Sequence, residues 1–216
     1  MEKLLCPSMM CANYGNLSEE VEKLEKAGAD IFHIDIMDGQ FVPNFGMGLQ
    51  DVEFICKKAT IPVDAHLMIE NPGSYVEKFA KMGIKIIYIH PESDVHPTRT
   101  LQSIIDVGAT PGIAINPGTA VATIKPLLPF VKYVMVMSVN PGFAGQKYIS
   151  SVDEKIKELI ELKEKYGYEV MLDGACSPER VETLSKMGVK GFILGTSALF
   201  GKGKPYKELL DGLRAL

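Results

Sequence analysis

Apolar and polar residues alternate along this chain in two rhythms that take turns. In LSEEVEKLEKA (17–27) and SVDEKIKELIELKEKY (151–166), apolar side chains recur every three or four positions, the period of one helical face. Between such stretches lie short apolar runs, among them IFHID, KIIYIH, PGIAI, YEVMLD and KGFILG, whose length suits buried strands. Gly28, Gly83, Gly108, Gly167 and Gly188 stand just ahead of these runs, where glycine can end a helix in the left-handed conformation. The pattern predicts strands at Leu4–Pro7, Ile31–Ile36, Val63–Leu67, Ile84–Ile89, Thr110–Ile115, Tyr133–Met137, Glu169–Leu172 and Gly191–Leu194. It predicts helices at Leu17–Ala27, Leu49–Ala59, Pro72–Lys81, Pro97–Val107, Val121–Leu128, Ser151–Tyr166, Pro178–Met187 and Tyr206–Leu213. Asn16, three residues before Glu19, suggests a capping box on the first helix, and Pro72 and Pro178 suit first helical turns.

Eight strand–helix units in 216 residues fit a compact (β/α)8, or TIM, barrel that takes residues 1–216 as a single domain. An open doubly wound sheet fits less well, because no GxGxxG fingerprint follows the first strand.

Composition narrows the partners. Lys and Arg number 23 against 27 Asp and Glu, with no basic cluster, so a nucleic-acid partner is not expected. No uncharged apolar run reaches the roughly 18 residues of a membrane span, and MEKLLCPSMM lacks a signal peptide's apolar block and cleavage pattern. The four cysteines form no CxxC pair and no Cys–His arrangement, which predicts small apolar fillers in a reducing, cytoplasmic setting. Oxidation of Cys6, Cys11 or Cys176, all near strand ends, could still impair function.

The candidate chemistry gathers where the strands end, the face that carries activity in such barrels. In HIDIMDGQFVPN (33–44), His33 and Asp35 are two apart and share one side of a strand. His66 closes the third strand and Asp173 the seventh. Two imidazoles and two carboxylates suit one divalent ion, with Zn, Mn, Fe and Co all chemically acceptable. Asp64 lies deeper on the side of His66, which suits an acceptor behind a ligand imidazole. Asp38 suits either orientation of the site or a loop hydrogen bond. Met37, Met68 and Met137 fall where they would roof a small polar cavity, while Met9, Met10, Met82, Met171 and Met187 are expected in the core. Three small-residue loops, Asn140–Gln146, Asp173–Ser177 and Gly195–Phe200, follow the last three strands and expose backbone N–H groups to an anion such as phosphate. A metal flanked by Asp35 and Asp173, opposite a phosphate anchor, suits inversion of a carbon beside a sugar carbonyl, one carboxylate on each face. That chemistry needs no nucleotide cofactor.

Across nearly its whole length the chain resembles the ribulose-phosphate 3-epimerase family, which includes allulose-6-phosphate 3-epimerases. The resemblance rests on CPSMMCAN, HIDIMDGQFVPN, DAHLMIENP, IHPES, VMSVNPGFAGQ, LDGACSPE and GTSALF. It implies a (β/α)8 fold, one divalent metal on His33, Asp35, His66 and Asp173, and acid/base roles for Asp35 and Asp173. It further implies substrate contacts from Ser8, Met37, Met68 and Met137. Phosphate would be held by Gly142, Phe143, Ala144 and Gly145, by Gly174 and Ala175, and by Gly195, Thr196 and Ser197. The partners implied are a small phosphorylated ketose and further copies of the chain, as a dimer or hexamer. GFAGQ and DGAC replace the usual GFGGQ and DGG, so Ala144 and Ala175 need backbone angles compatible with anion binding. HPES, GFAGQ, DGAC and GTSALF lean toward allulose 6-phosphate. SVNPG and INPGT lean toward ribulose 5-phosphate, the reading preferred here. His90 would back the metal site or face a helix, and His96 would sit at a helix start. Phe41–Met47 would serve as a lid or a subunit contact. An aldolase or decarboxylase would want a strand-end lysine, which is lacking, and a non-catalytic sugar-phosphate sensor would have no need of both aspartates.

Overall fold

The structure, a computed structural model, describes residues 3–216; Met1 and Glu2, the start of the segment read for a leader, lie outside the described residues. Eight parallel strands form one sheet: β1 (Leu4–Pro7), β2 (Phe32–Met37), β3 (Val63–Met68), β4 (Ile86–Ile89), β5 (Thr110–Ile115), β6 (Tyr133–Met137), β7 (Glu169–Asp173) and β8 (Gly191–Leu194). Each pairs with the next from β2 onward, and β8 turns back on β1. Between β1 and β2 the ladder shrinks to one bridge, Ser8 with His33, so the barrel is nearly closed. Asp30 stitches the other end of that seam. Its Oδ2 accepts from the Leu5 N–H at 2.8 Å and from Arg214 at 2.9 Å, while its own N–H donates to the Leu5 carbonyl at 3.0 Å.

Outside run α1 (Leu17–Lys26), α2 (Leu49–Lys58), α3 (Val76–Met82), α4 (Pro97–Asp106), α5 (Val121–Ile124), α6 (Val152–Tyr166), α7 (Pro178–Met187) and α8 (Tyr206–Ala215). The architecture is the (β/α)8 barrel that the patterning predicts. All five glycines expected at helix ends have positive φ.

Three local expectations need correction. Asn16 makes no side-chain cap; a 3-10 turn, Tyr14–Asn16, leads into α1, Asn13 takes the Gly15 N–H, and Glu19 pairs with Lys23 instead. The predicted third helix splits into a turn at Pro72–Ser74 and α3. The fifth ends at Ile124 and continues as a 3-10 segment, Lys125–Phe130, because Pro126 and Pro129 donate no backbone N–H and clash with the preceding turn.

Alternation along the strands splits the core into two layers. Outward residues such as Phe32, Ile34, Leu67, Ile87 and Val134 pack under the helices. Inward residues Cys6, Ile31, Ile86, Tyr88, Ala114, Met135, Met171 and Ile193 plug the barrel. Gly112 on β5 makes room for one of them, since a Cβ there would lie 2.4 Å from the Tyr88 ring. The same inward alternation puts His33 and Asp35 of β2 and Asp64 and His66 of β3 inside the barrel, Asp64 opposite Ile86 and His66 opposite Tyr88 of this plug.

Candidate active site

The strand register sets the site's geometry. In the β2–β3 pair, His33 stands opposite Asp64 and Asp35 opposite His66, and in the β6–β7 pair Met137 stands opposite Asp173. One ligand atom from each of His33, Asp35, His66 and Asp173 lies within 4.8 Å of all the others. His33 Nε2 is 3.4 Å from Asp35 Oδ1 and 4.0 Å from Asp173 Oδ2. His66 Nδ1 is 3.6 Å from Asp35 Oδ1 and 3.5 Å from Asp173 Oδ2. Both nitrogens are buried without a hydrogen-bond partner. Buried polar atoms are normally satisfied, so these orphans facing two carboxylates are what a cation site requires. The donor set, two imidazoles and two carboxylates, suits a first-row divalent ion.

Three of the four candidate ligands, all but Asp173, have a polar partner behind them. Asp64, fully buried, brings Oδ1 to 2.6 Å from His33 Nδ1, a close ion contact short of an aligned hydrogen bond. Ser8 donates its hydroxyl to Asp35 Oδ2 at 2.6 Å. His66 Nε2 meets His90 Nε2 at 2.8 Å. His90 Nδ1 in turn lies 3.4 Å from Glu92 Oε2. In the metal-free protein, burial pushes the His33 imidazole down, but the Asp64 and Asp35 carboxylates outweigh it and raise its pKa well above 6.5. His66 is raised in the same way, against burial, by Asp173 and Asp35. Burial alone would raise Asp35; the two imidazoles outweigh it and hold the carboxyl well below the usual range. Burial raises Asp64 despite the His33 contact. His90 is held neutral by burial, its pKa lowered to about 4.

Above the cluster opens a small cavity. Ser8, Asp35, Asp173 and the three methionines Met37, Met68 and Met137 line it, as do all the loop residues singled out for phosphate: 142–145, 174–175 and 195–197. No lysine or arginine does, so an anion there finds only backbone N–H groups, hydroxyls and amides. Ala175 has φ +45°, a left-handed geometry that costs an alanine on the order of 1 kcal/mol; Ala144 is not in that region. Met10, expected in the core, lines the cavity too and packs on Met37, Val42 and Met68.

The segment Phe41–Met47 folds down beside the cluster. Asn44 Nδ2 donates to the Gly142 carbonyl at 2.7 Å, Met47 N–H to the Asp35 carbonyl at 2.9 Å, and the Phe41 ring lies 4.8 Å from that of His90. Gly46 permits this approach, since a Cβ there would sit 2.5 Å from the Asp35 carbonyl. Phe45 is left 79% exposed. Asp38 accepts the N–H groups of Gln40, Phe41 and Glu70, a loop role. His96 is exposed at the start of α4.

Sequence reading left Glu92, Met10 and Val42 out of the site. For Glu92 the signal was present: HPES puts a carboxylate two residues after a strand-end histidine.

A family model described as the ribulose-phosphate 3 epimerase family matches residues 4–200. The chain is 40% identical over 212 residues to a ribulose-phosphate 3-epimerase of Helicobacter pylori, covering 97% of this chain and 96% of that one. It is 39% identical over 201 residues to the enzyme of that name from Aquifex aeolicus, covering 92% and 90%. Among solved structures, 3-keto-L-gulonate-6-phosphate decarboxylase of Vibrio cholerae superposes with a TM-score of 0.74 over 100% of this chain and 97% of that one. Its 12% identity makes that a likeness of fold alone. No helix among the described residues is long and apolar enough to cross a membrane.

Proposed function

The chain belongs to the ribulose-phosphate 3-epimerase family, and from that premise we propose that it interconverts D-ribulose 5-phosphate and D-xylulose 5-phosphate on the four-residue cluster at the barrel mouth. It is an isomerase that epimerises a phosphorylated ketose. The observation that carries the assignment of residues is the convergence of His33, Asp35, His66 and Asp173 within 4.8 Å at the floor of a cavity lined by small-residue loops. The whole chain acts as one catalytic domain.

His33, Asp35, His66 and Asp173 would hold a divalent cation of the Zn, Mn, Fe or Co class, which would supply Lewis-acid stabilisation of negative charge on the substrate's oxygen. The chain's own groups do the rest. Asp35 and Asp173 come from β2 and β7, separate strands of the barrel, so their carboxylates can serve opposite faces of one carbon. One, ionised, takes the C3 proton and becomes the carboxylic acid, and the resulting enediolate is held planar in the cavity. The other, protonated at the start, gives its proton to the opposite face and ends ionised, so the two aspartates exchange states with each turnover. Ser8 holds Asp35 Oδ2 in place at 2.6 Å. Met37, Met68 and Met137 cover the reacting carbon and limit water around it. The phosphate rests on the backbone of 142–145, 174–175 and 195–197, which fixes C3 against the bases without joining the reaction. Schiff-base aldolase chemistry finds no lysine in this cavity. The chain works in the cytoplasm as a dimer or hexamer.

The test is a paired assay. Metal-loaded protein in deuterated water should convert ribulose 5-phosphate to xylulose 5-phosphate with deuterium at C3, and should act less well on allulose 6-phosphate. Neither product nor exchange with the pentulose, or faster turnover of the hexulose, would overturn the substrate assignment.

A further inference from the structure

Behind the cluster runs a line of polar groups, buried at His66 and His90 and reaching the surface at Glu92, that the proposed reaction does not touch. His66 Nδ1 faces Asp35 and Asp173, so to bind a cation it must carry no proton. The ring's one remaining proton then sits on Nε2, 2.8 Å from His90 Nε2. Two imidazole nitrogens in hydrogen-bond contact need one donor and one acceptor. His90 Nε2 is therefore the acceptor, and the His90 proton is on Nδ1, which lies 3.4 Å from Glu92 Oε2 in an ion contact short of an aligned hydrogen bond. The other carboxylate oxygen of Glu92 is fixed by the Asn116 N–H at 2.9 Å and the Thr119 hydroxyl at 2.5 Å. Lys155 braces that loop by donating to the carbonyls of Asn116 and Pro117 at 2.7 and 2.9 Å. His66 and His90 are both fully buried, their rings stacked 5.0 Å apart, and Phe41 covers His90 on another side.

We infer that His90 and Glu92 are positioning residues: the line Glu92–His90–His66 fixes the tautomer and ring plane of His66 and so presents Nδ1, not Nε2, to the cation. The two imidazoles of the cluster thus bind through different nitrogens. His33 has Nδ1 against Asp64 and offers Nε2, while His66 has Nε2 against His90 and offers Nδ1. The inference rests on the metal-dependent reading above and extends it to residues in the loops that follow β4 and β5. A ligand imidazole is ordinarily oriented by an acceptor on its other nitrogen, and removing that acceptor weakens metal binding about 10–100-fold.

Three variants separate positioning from packing. His90→Leu keeps an apolar filler but removes the acceptor, and should weaken Zn binding about 10–100-fold in competition with a chelator. His90→Gln keeps an acceptor oxygen for His66 Nε2–H and should recover most of that loss. Glu92→Gln should give a smaller loss in the same direction. At saturating Zn, His90→Leu should lower kcat more than it raises KM. The direct readout needs no substrate. With only four histidines in the chain, nitrogen NMR of the Zn-loaded protein can assign each ring tautomer, and His66 should carry its proton on Nε2. A proton on His66 Nδ1, Leu and Gln variants equal in affinity, or unchanged affinity in all three would overturn the inference. Tight Zn binding with no epimerisation would remove the function reading and leave this one intact; a parent protein that binds no divalent cation would remove both.

Discussion

Asp64 offers a sharp test, because it touches neither the cavity nor the cation-facing atoms. Its carboxylate is fully buried and its Oδ1 lies 2.6 Å from His33 Nδ1. With a cation on Nε2, His33 must keep its proton on Nδ1, and Asp64 is the group that faces it. The 2.6 Å contact becomes a hydrogen bond once that proton turns onto Oδ1, and a hydrogen bond to a charged acceptor contributes about 1.5–3 kcal/mol and a neutral one about 1. Asp64→Asn keeps an oxygen acceptor but loses the charge, a deficit of roughly 0.5–2 kcal/mol, or about 2–30-fold in metal affinity. Asp64→Ala removes the acceptor and leaves a buried N–H unsatisfied, a deficit of roughly 1.5–3 kcal/mol, or about 10–150-fold. Affinity is measured by competition with a chelator on metal-stripped protein, with melting curves of the stripped variants to confirm that they fold. The expected order is parent, then Asn, then Ala. Folded variants that bind as tightly as the parent would refute the reasoning, as would an Asn variant weaker than Ala.

Metal affinity should climb with pH through and above 6.5, because the raised His33 and His66 must give up protons to a cation; a profile flat above that point would contradict their pairing. The sign reverses for the stripped protein: imidazoles raised in the folded state stabilise it fully below 6.5 and lose that contribution as pH rises through the folded values. Its melting temperature should therefore fall from pH 6.5 upward, and a rise would contradict the shift. Gly112→Ala would set a methyl 2.4 Å from the buried Tyr88 ring. Overpacking of that kind costs about 1–3 kcal/mol, which at this size lowers the melting point by roughly 2–12 °C; an unchanged melting point would show that the plug has slack.

Much of this was legible in the chain because strand alternation is strict. The two-residue spacing of His33 and Asp35, and of Asp64 and His66, could only put each pair on one side of a strand, and the inward side was the one left for polar groups. Glycine at the helix ends fixed the rhythm of the units. What escaped depended on groups far apart in sequence or on competing local chemistry. Asn16 looked like a cap, but the preceding turn already used Asn13 for that purpose. Glu92 drew its meaning from Asn116 and Thr119, 24 and 27 residues away, and Met10 from the fold of residues 41–42 over the mouth. The seam between β1 and β2, closed through Asp30 and Arg214, likewise has no local signature.

The central claim is that Asp35 and Asp173 flank one carbon above one cation. The most direct measurement is C3 hydrogen exchange in deuterated water for Asp173→Asn, compared with the parent at matched metal occupancy. The account predicts that net epimerisation falls by at least about 10²–10⁴-fold, with any residual C3 exchange confined to one epimer, because only one face keeps its base. Near-parent epimerisation, or equal exchange from both epimers, would contradict it.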